Sequence, residues 1–406
     1  MDLIWKVLIV LAGVCLLGLG AIEVFSPSPY ENIPTAVIDS PEMDVDEKTG
    51  WYLFDDDGYR MVTWSAKGGL TINRFDSLAQ SRLRPKSRDM YIWERRAGDL
   101  EVAFQRDVMG RITGFSWVEA DGKQRHAERT TDQGYHQEEV QFYSNEIRLS
   151  GLLLVPNSDV PFPAVVFIHG SGESDRDSFW YLYQAHILVS SGIAVLLPDK
   201  RGCGKSEGIW HTMNFETLAE DAVAGLRLLS QVTSVDSTRL GLVGFSQGGW
   251  IAPIAAQQSA LAKFVVDVSG GAVTPNRQIA HEVEQDMVQA GVPSPVIDIV
   301  HSLYVRRAKK RFPEFWEKNG EFDPLPLWRQ LRVPLLFIYG EKDEDDNTPV
   351  KESVSNLEIL RAEKTKTLDI KVYKESGHAL GDPATGWIRQ EYLDNLVAWI
   401  KNAQNK

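Results

Sequence analysis

Leu240-Gly241-Leu242-Val243-Gly244-Phe245-Ser246-Gln247-Gly248-Gly249-Trp250 is the stretch whose reading decides the fold. An apolar run suited to a buried parallel strand ends in Gly244-Phe245-Ser246-Gln247-Gly248 and gives way to Trp250 to Gln258, which is helical in composition. Ser246 therefore falls on a tight strand-to-helix turn, a nucleophile elbow. Glycine is needed at 244 and 248 because a Cβ there would collide with the neighbouring strand or helix while the serine is held in a strained conformation. Such a turn exposes the serine Oγ and puts the Gln247 N–H at a helix start, where it can stabilise an oxyanion. A short G-x-S-x-G pattern also occurs in ordinary glycine-rich turns, so the reading depends on its surroundings.

Outward from the elbow, apolar strand candidates recur at Ala164 to Ile168, Ile193 to Pro198, Phe264 to Val268, Leu335 to Tyr339 and Ile370 to Tyr373. Helix-like stretches separate most of them, for example Phe215 to Leu229, which Asn214 can N-cap. Ligands of such sheets bind at the carboxyl ends of the strands. Those ends carry His169-Gly170-Ser171-Gly172, Asp199-Lys200-Arg201-Gly202, Ser246, Gly340-Glu341-Lys342-Asp343 and Ser376-Gly377-His378.

The chain order of serine, acid and histidine matches the α/β-hydrolase fold, which residues 137–406 resemble. Within that fold, His169 to Gly172 with Asp175-Arg176-Asp177, followed by Asp199 to Ser206, looks like a bacterial carboxylesterase branch related to prolyl-oligopeptidase-type, S9-like serine peptidases. Related esterases often flank the serine with histidine and glutamate, where this chain has Phe245 and Gln247. The resemblance implies an α/β fold with a mostly parallel sheet flanked by helices, and a catalytic triad of Ser246, Asp343 and His378. Asp343 is chosen among Asp343, Glu344, Asp345 and Asp346 because the family's acid follows the strand-ending glycine by three positions, as Asp343 follows Gly340.

A serine hydroxyl is a poor nucleophile until a neutral imidazole takes its proton, the role assigned to His378. The backbone N–H groups of Ser171 and Gln247 are expected to form the oxyanion hole, with His169 positioning that loop by hydrogen bonding. Arg176 is read as a loop brace or a contact for a substrate carboxylate, and Lys200 and Arg201 are expected to tie to nearby acids. Between Val268 and Leu335 lies more chain than one crossover needs, which reads as a helical cap at about 272–330. Trp316, Phe322 and Trp328 either line its pocket or hold it together.

Upstream, short alternating segments separated by glycine turns read as a small antiparallel β domain over residues 45–132, a sandwich or partial barrel, with Thr130 to His136 as the linker. The Asp55-Asp56-Asp57 triplet there reads as a hairpin turn, since it lacks the ligand spacing of a calcium loop. At the start, Lys6 precedes the apolar run Val7 to Ile22, so residues 1–25 read as a signal peptide or a membrane anchor over residues 3–22. Export to the periplasm or the extracellular space follows, free or tethered by an uncleaved segment.

A net charge of −13 opposes binding to nucleic acid. The two cysteines, Cys15 and Cys203, can assemble neither a disulfide framework nor a thiolate zinc site, and no metal or organic cofactor is expected. Together these features point to a serine hydrolase acting on a small-molecule ester or acyl substrate through an acyl-enzyme. An exported serine peptidase is the alternative, and a binding protein without activity a more distant one.

Overall fold

The computed structural model describes residues 46–403, apart from 56–58, 66–68, 75–79, 96–97, 132–133, 364–367 and 385–386. The expected signal peptide or anchor lies outside the described residues. Among the described residues, no helix is long and apolar enough to cross a membrane.

Strands β1 (Gly50–Phe54) to β8 (Gln124–Thr130) form one antiparallel sheet that closes on itself, because β1 pairs with both β2 (Tyr59–Ser65) and β8. The expected sandwich or partial barrel is thus a closed eight-stranded barrel, which leaves no free strand edge. Period-2 alternation sorts its residues. Tyr52 and Phe54 point inward, packing with Val62, Phe115 and Trp117, while Trp51 and its cross-strand partner Met61 point outward. Those two outward residues are buried against Tyr135 and Leu182, so the barrel is joined to the next unit by apolar contact.

The second unit is an eight-stranded sheet in the order β16-β15-β14-β13-β11-β12-β10-β9. Strands β11 (Phe162–Ile168), β12 (Ala194–Pro198), β13 (Val235–Phe245), β14 (Phe264–Val268), β15 (Leu335–Gly340) and β16 (Leu368–Tyr373) run parallel. Strands β9 (Tyr135–Ser144) and β10 (Ile147–Pro156) add an antiparallel edge. Continuous apolar runs such as Ala164 to Ile168 suit strands covered on both faces. Val166 and Ile168 face one core with α2 (Phe215–Leu229) and α3 (Gly248–Gln258), whereas Val165 and Phe167 face the other with α1 (Phe179–Ser190) and the C-terminal helix α9 (Gln390–Asn402).

Four helices fill the connection from β14 to β15: α4 (Pro275–Gln289), α5 (Ser294–Lys309), α6 (Pro313–Asn319) and α7 (Leu325–Gln330). The cap expected there is present. A further helix, α8 (Val350–Glu363), precedes β16. Tyr135 and His136, read from the sequence as linker, already belong to β9. The terminal helix starts at Gln390 and not near Asp382-Pro383, because Gly381–Asp382 pairs with Trp387–Ile388 in a short hairpin first.

Candidate active site

Ser246 sits between the end of β13 and the start of α3 with φ of 51°, a left-handed conformation that costs an L-residue ~1–2 kcal/mol. The turn is held tightly enough to impose it. A Cβ on Gly244 would run into the Gly248 carbonyl, and one on Gly248 into the Ile168 carbonyl. The Ser246 N–H donates to the Val268 carbonyl at 2.8 Å.

At the end of β15, Asp343 is fully buried and lies 2.8 Å through Oδ2 from Nδ1 of His378, on the loop after β16. Its other oxygen accepts from the Thr348 N–H at 3.2 Å. Glu344, Asp345 and Asp346 make no such contact with His378; Asp345 and Asp346 are exposed. The two loops lie against each other, since a Cβ on Gly340 would strike the Ser376 and Gly377 carbonyls and the Lys342 N–H donates to Ser376 O at 2.8 Å.

Ser269, with φ of 57°, donates from Oγ to the His378 carbonyl at 2.8 Å. Ser246 and His378 are therefore tied to consecutive residues, Val268 and Ser269. Among the described residues no hydrogen bond joins the Ser246 hydroxyl to the His378 ring, and such contacts often close only when substrate binds.

Burial pulls the His378 pKa down, but the charge of Asp343, the hydrogen bond to it, and the nearby Asp346 and Glu282 outweigh burial and leave it above the ordinary imidazole value. Glu282 comes from the cap helix α4, and burial, with the Asp286 charge beside it, pushes its carboxyl up to about 7. The same helix is bonded to the acid loop, through His281 Nε2 to the Glu344 carbonyl at 2.8 Å.

Facing the serine is the loop after β11. Gly170 packs so closely that a Cβ on it would lie 3.3 Å from the Ser246 Cβ, and its N–H donates to the Tyr181 hydroxyl at 2.9 Å. His169 does brace this loop: burial holds its pKa down to about 4, so the neutral ring donates from Nε2 to the Pro198 carbonyl at 2.6 Å. Arg176 is a buried brace, its Nε 2.9 Å from Asp199, and Arg201 pairs with Asp221 at 2.9 Å.

Lys200 departs from expectation. Asp199 is already taken by Arg176 and by the Lys205 N–H, so among the described residues the Lys200 ammonium bonds to no acid; it donates instead to the carbonyls of Gly170 and Gly172 and to Gln247 Oε1. Cys203 is buried and burial raises its thiol pKa, which disfavours the thiolate a nucleophile would need. Of the cap aromatics, Trp328 packs on Phe337 and Phe322 on Phe215, so they hold the cap to the sheet unit. Sequence reasoning missed Tyr181, Ser269 and Glu282; Ser269 follows a strand end and Tyr181 lies near the start of α1, the one available signal, whereas Glu282, in the middle of α4, offered none.

The model of the alpha/beta hydrolase family matches residues 165–385, more than half of the chain, and that span includes Ser246, Asp343 and His378. The chain is similar to "Esterase EstD" of Thermotoga maritima, 24% identical over 332 residues that cover 75% of this chain and 77% of that protein. It is also similar to "Uncharacterized peptidase YtmA" of Bacillus subtilis, 26% identical over 265 residues, 64% of this chain and 91% of that one. Among solved structures, the Pyrococcus furiosus esterase Pf2001 superposes with a TM-score of 0.51 at 20% identity, over 68% of this chain and 94% of that chain, a likeness of fold. With the strand order, the strained serine turn and the family match in agreement, the chain belongs to the alpha/beta hydrolase family and is related to its S9-like serine hydrolases.

Proposed function

We propose that this protein cleaves carboxylic esters through an acyl-enzyme, with Ser246 as nucleophile, His378 as general base and acid, and Asp343 as the group that orients His378. The Ser246 Oγ attacks the ester carbonyl carbon while its proton passes to His378 Nε2. The N–H groups of Ser171 and Gln247 receive the developing oxyanion. Collapse of the tetrahedral adduct breaks the carbon–oxygen bond to the alcohol, which takes the proton back from His378. Water then attacks the acyl-enzyme by the same route in reverse, releasing the acid and restoring Ser246. Asp343 accepts the hydrogen bond from His378 Nδ1, fixing the tautomer with the proton on Nδ1 and stabilising the imidazolium.

The observation that carries this reading is the 2.8 Å contact between His378 and buried Asp343, on loops tied to the residue following the acceptor of the Ser246 N–H. Ester over amide is favoured by the match to an esterase over 75% of this chain, a span too long to fit within the α/β unit alone. A peptidase is the second reading, favoured by the similarity to a protein named a peptidase. Export is part of the proposal and rests on the apolar run Val7 to Ile22.

Turnover of a panel of aryl esters of increasing acyl length, set against aminoacyl anilides, tests the choice. The expected result is ester turnover with negligible anilide cleavage. Anilide cleavage at comparable kcat/KM would replace this reading by the peptidase one.

A further inference from the structure

Lys200 follows the end of β12 and its side chain is buried beneath the loop that faces Ser246. Its Nζ lies 2.7 Å from the Gly170 carbonyl, 3.1 Å from the Gly172 carbonyl and 2.8 Å from Gln247 Oε1, and 3.8 Å above the centre of the Trp210 ring. An ammonium held by two carbonyls, an amide and an aromatic face is buried, and among the described residues it has no carboxylate partner. Burial accordingly pulls its pKa down to about 7. A methionine would fill the same volume without that desolvation penalty, so the charge calls for a role.

The peptide group supplies one. The Gly170 carbonyl and the Ser171 N–H belong to one planar trans unit and point in opposite directions. A cation that draws the carbonyl inward therefore aims the Ser171 N–H outward, on the loop whose Gly170 abuts Ser246. It also withdraws electron density from that amide and makes it a stronger donor. The third contact grips the side chain of Gln247, the residue whose N–H opens α3 beside the serine. Gln247 is itself buried.

We propose that Lys200 is the positioning residue of the oxyanion hole: one buried ammonium holds the Gly170–Ser171 peptide and Gln247 together, so that both backbone donors converge on the same point. This rests on the serine-hydrolase reading above. It assigns Lys200 a role exerted only through the two amides, without contact to substrate.

The test is Lys200→Met, read by kcat, KM, melting temperature and the inhibition constant of an arylboronic acid, whose adduct on a serine is tetrahedral and anionic. Removing a donor outright costs ~10²–10³ in kcat in a comparable hydrolase, so a misaimed pair should cost ~10–100-fold, with KM within about twofold. The boronate should bind more weakly by the same factor as kcat/KM falls. The melting temperature should fall modestly, because the variant leaves the Gly170 and Gly172 carbonyls and Gln247 Oε1 without their donor; the boronate affinity carries the test.

Unchanged kcat and boronate affinity, with Ser246-dependent turnover intact, overturn the Lys200 assignment alone. So does a lower kcat accompanied by a lower melting temperature and unaltered boronate affinity, the mark of a merely structural residue. Wild-type turnover that survives Ser246→Ala overturns the assignment together with the reading it rests on. Should Lys200→Met fail to fold, Gln247→Ala releases one of the three contacts; it should lower kcat and boronate affinity in parallel, and a change in KM alone would contradict the proposal.

Discussion

His378 Nδ1 lies 2.8 Å from Oδ2 of Asp343, a carboxylate with no solvent exposure, whereas Asp346, three residues on, is exposed. A buried carboxylate on Nδ1 selects the tautomer whose Nε2 can accept the serine proton; an amide in its place can present its N–H and favour the other. Asp343→Asn is expected to lower turnover by on the order of 10⁴ with little change in melting temperature. Asp345→Asn and Asp346→Asn should each stay within about tenfold of wild type, which steady-state assays on one aryl ester would settle.

In the proposed mechanism nucleophile and base act as one unit, so removing either already removes the function of both. Ser246→Ala and His378→Ala are each expected to reduce kcat by several orders of magnitude, up to ~10⁶-fold, with the double variant little worse. Single-turnover measurements on all three variants check this. Losses that multiply would show two independent roles.

The acid limb of kcat/KM reports the free enzyme's base. As the proposed base His378 must be neutral to act, and despite the opposing effect of burial its pKa stands above the ordinary value because Asp343, Asp346 and Glu282 favour the imidazolium. Activity should therefore rise with pH through a midpoint above that of free imidazole, about 6.5. Asp346→Asn removes one of the charges that raise it, so the limb should move to lower pH. A pH profile of the variant that is unshifted, or shifted upward, would contradict this electrostatic account.

The elbow was legible in the sequence because everything that makes it is local: two glycines, a strand before and a helix after. Asp343 and His378 were legible through spacing from strand ends within a resembled family. Barrel closure was not, because it depends on β1 meeting β8, a pairing between segments some 80 residues apart that alternation cannot specify. Nor were the partners of Lys200, for which three separate loops must converge before Asp199 is seen to be occupied. Ser269 carries a positive φ that its residue type does not announce.

Trp51 joins the two units: its ring meets Tyr135 edge-on at 6.0 Å and His186 at 5.4 Å, and its Nε1 donates to Gln137 at 2.9 Å. Truncating a buried tryptophan costs ~3–5 kcal/mol. Trp51→Ala should lower the melting temperature clearly while turnover per folded molecule stays within about twofold, since the barrel keeps its own core around Tyr52 and Phe115. Calorimetry with active-site titration separates the two effects.

Reaction of the intact protein with a fluorophosphonate, followed by peptide mass mapping, tests the assignment of Ser246 as nucleophile. The expected result is one equivalent of phosphonylation on the peptide that contains Ser246, loss of ester turnover in proportion, and no labelling of Ser246→Ala. Full ester turnover in a protein that takes up no label, or label carried by another residue with Ser246 unmodified, would contradict it.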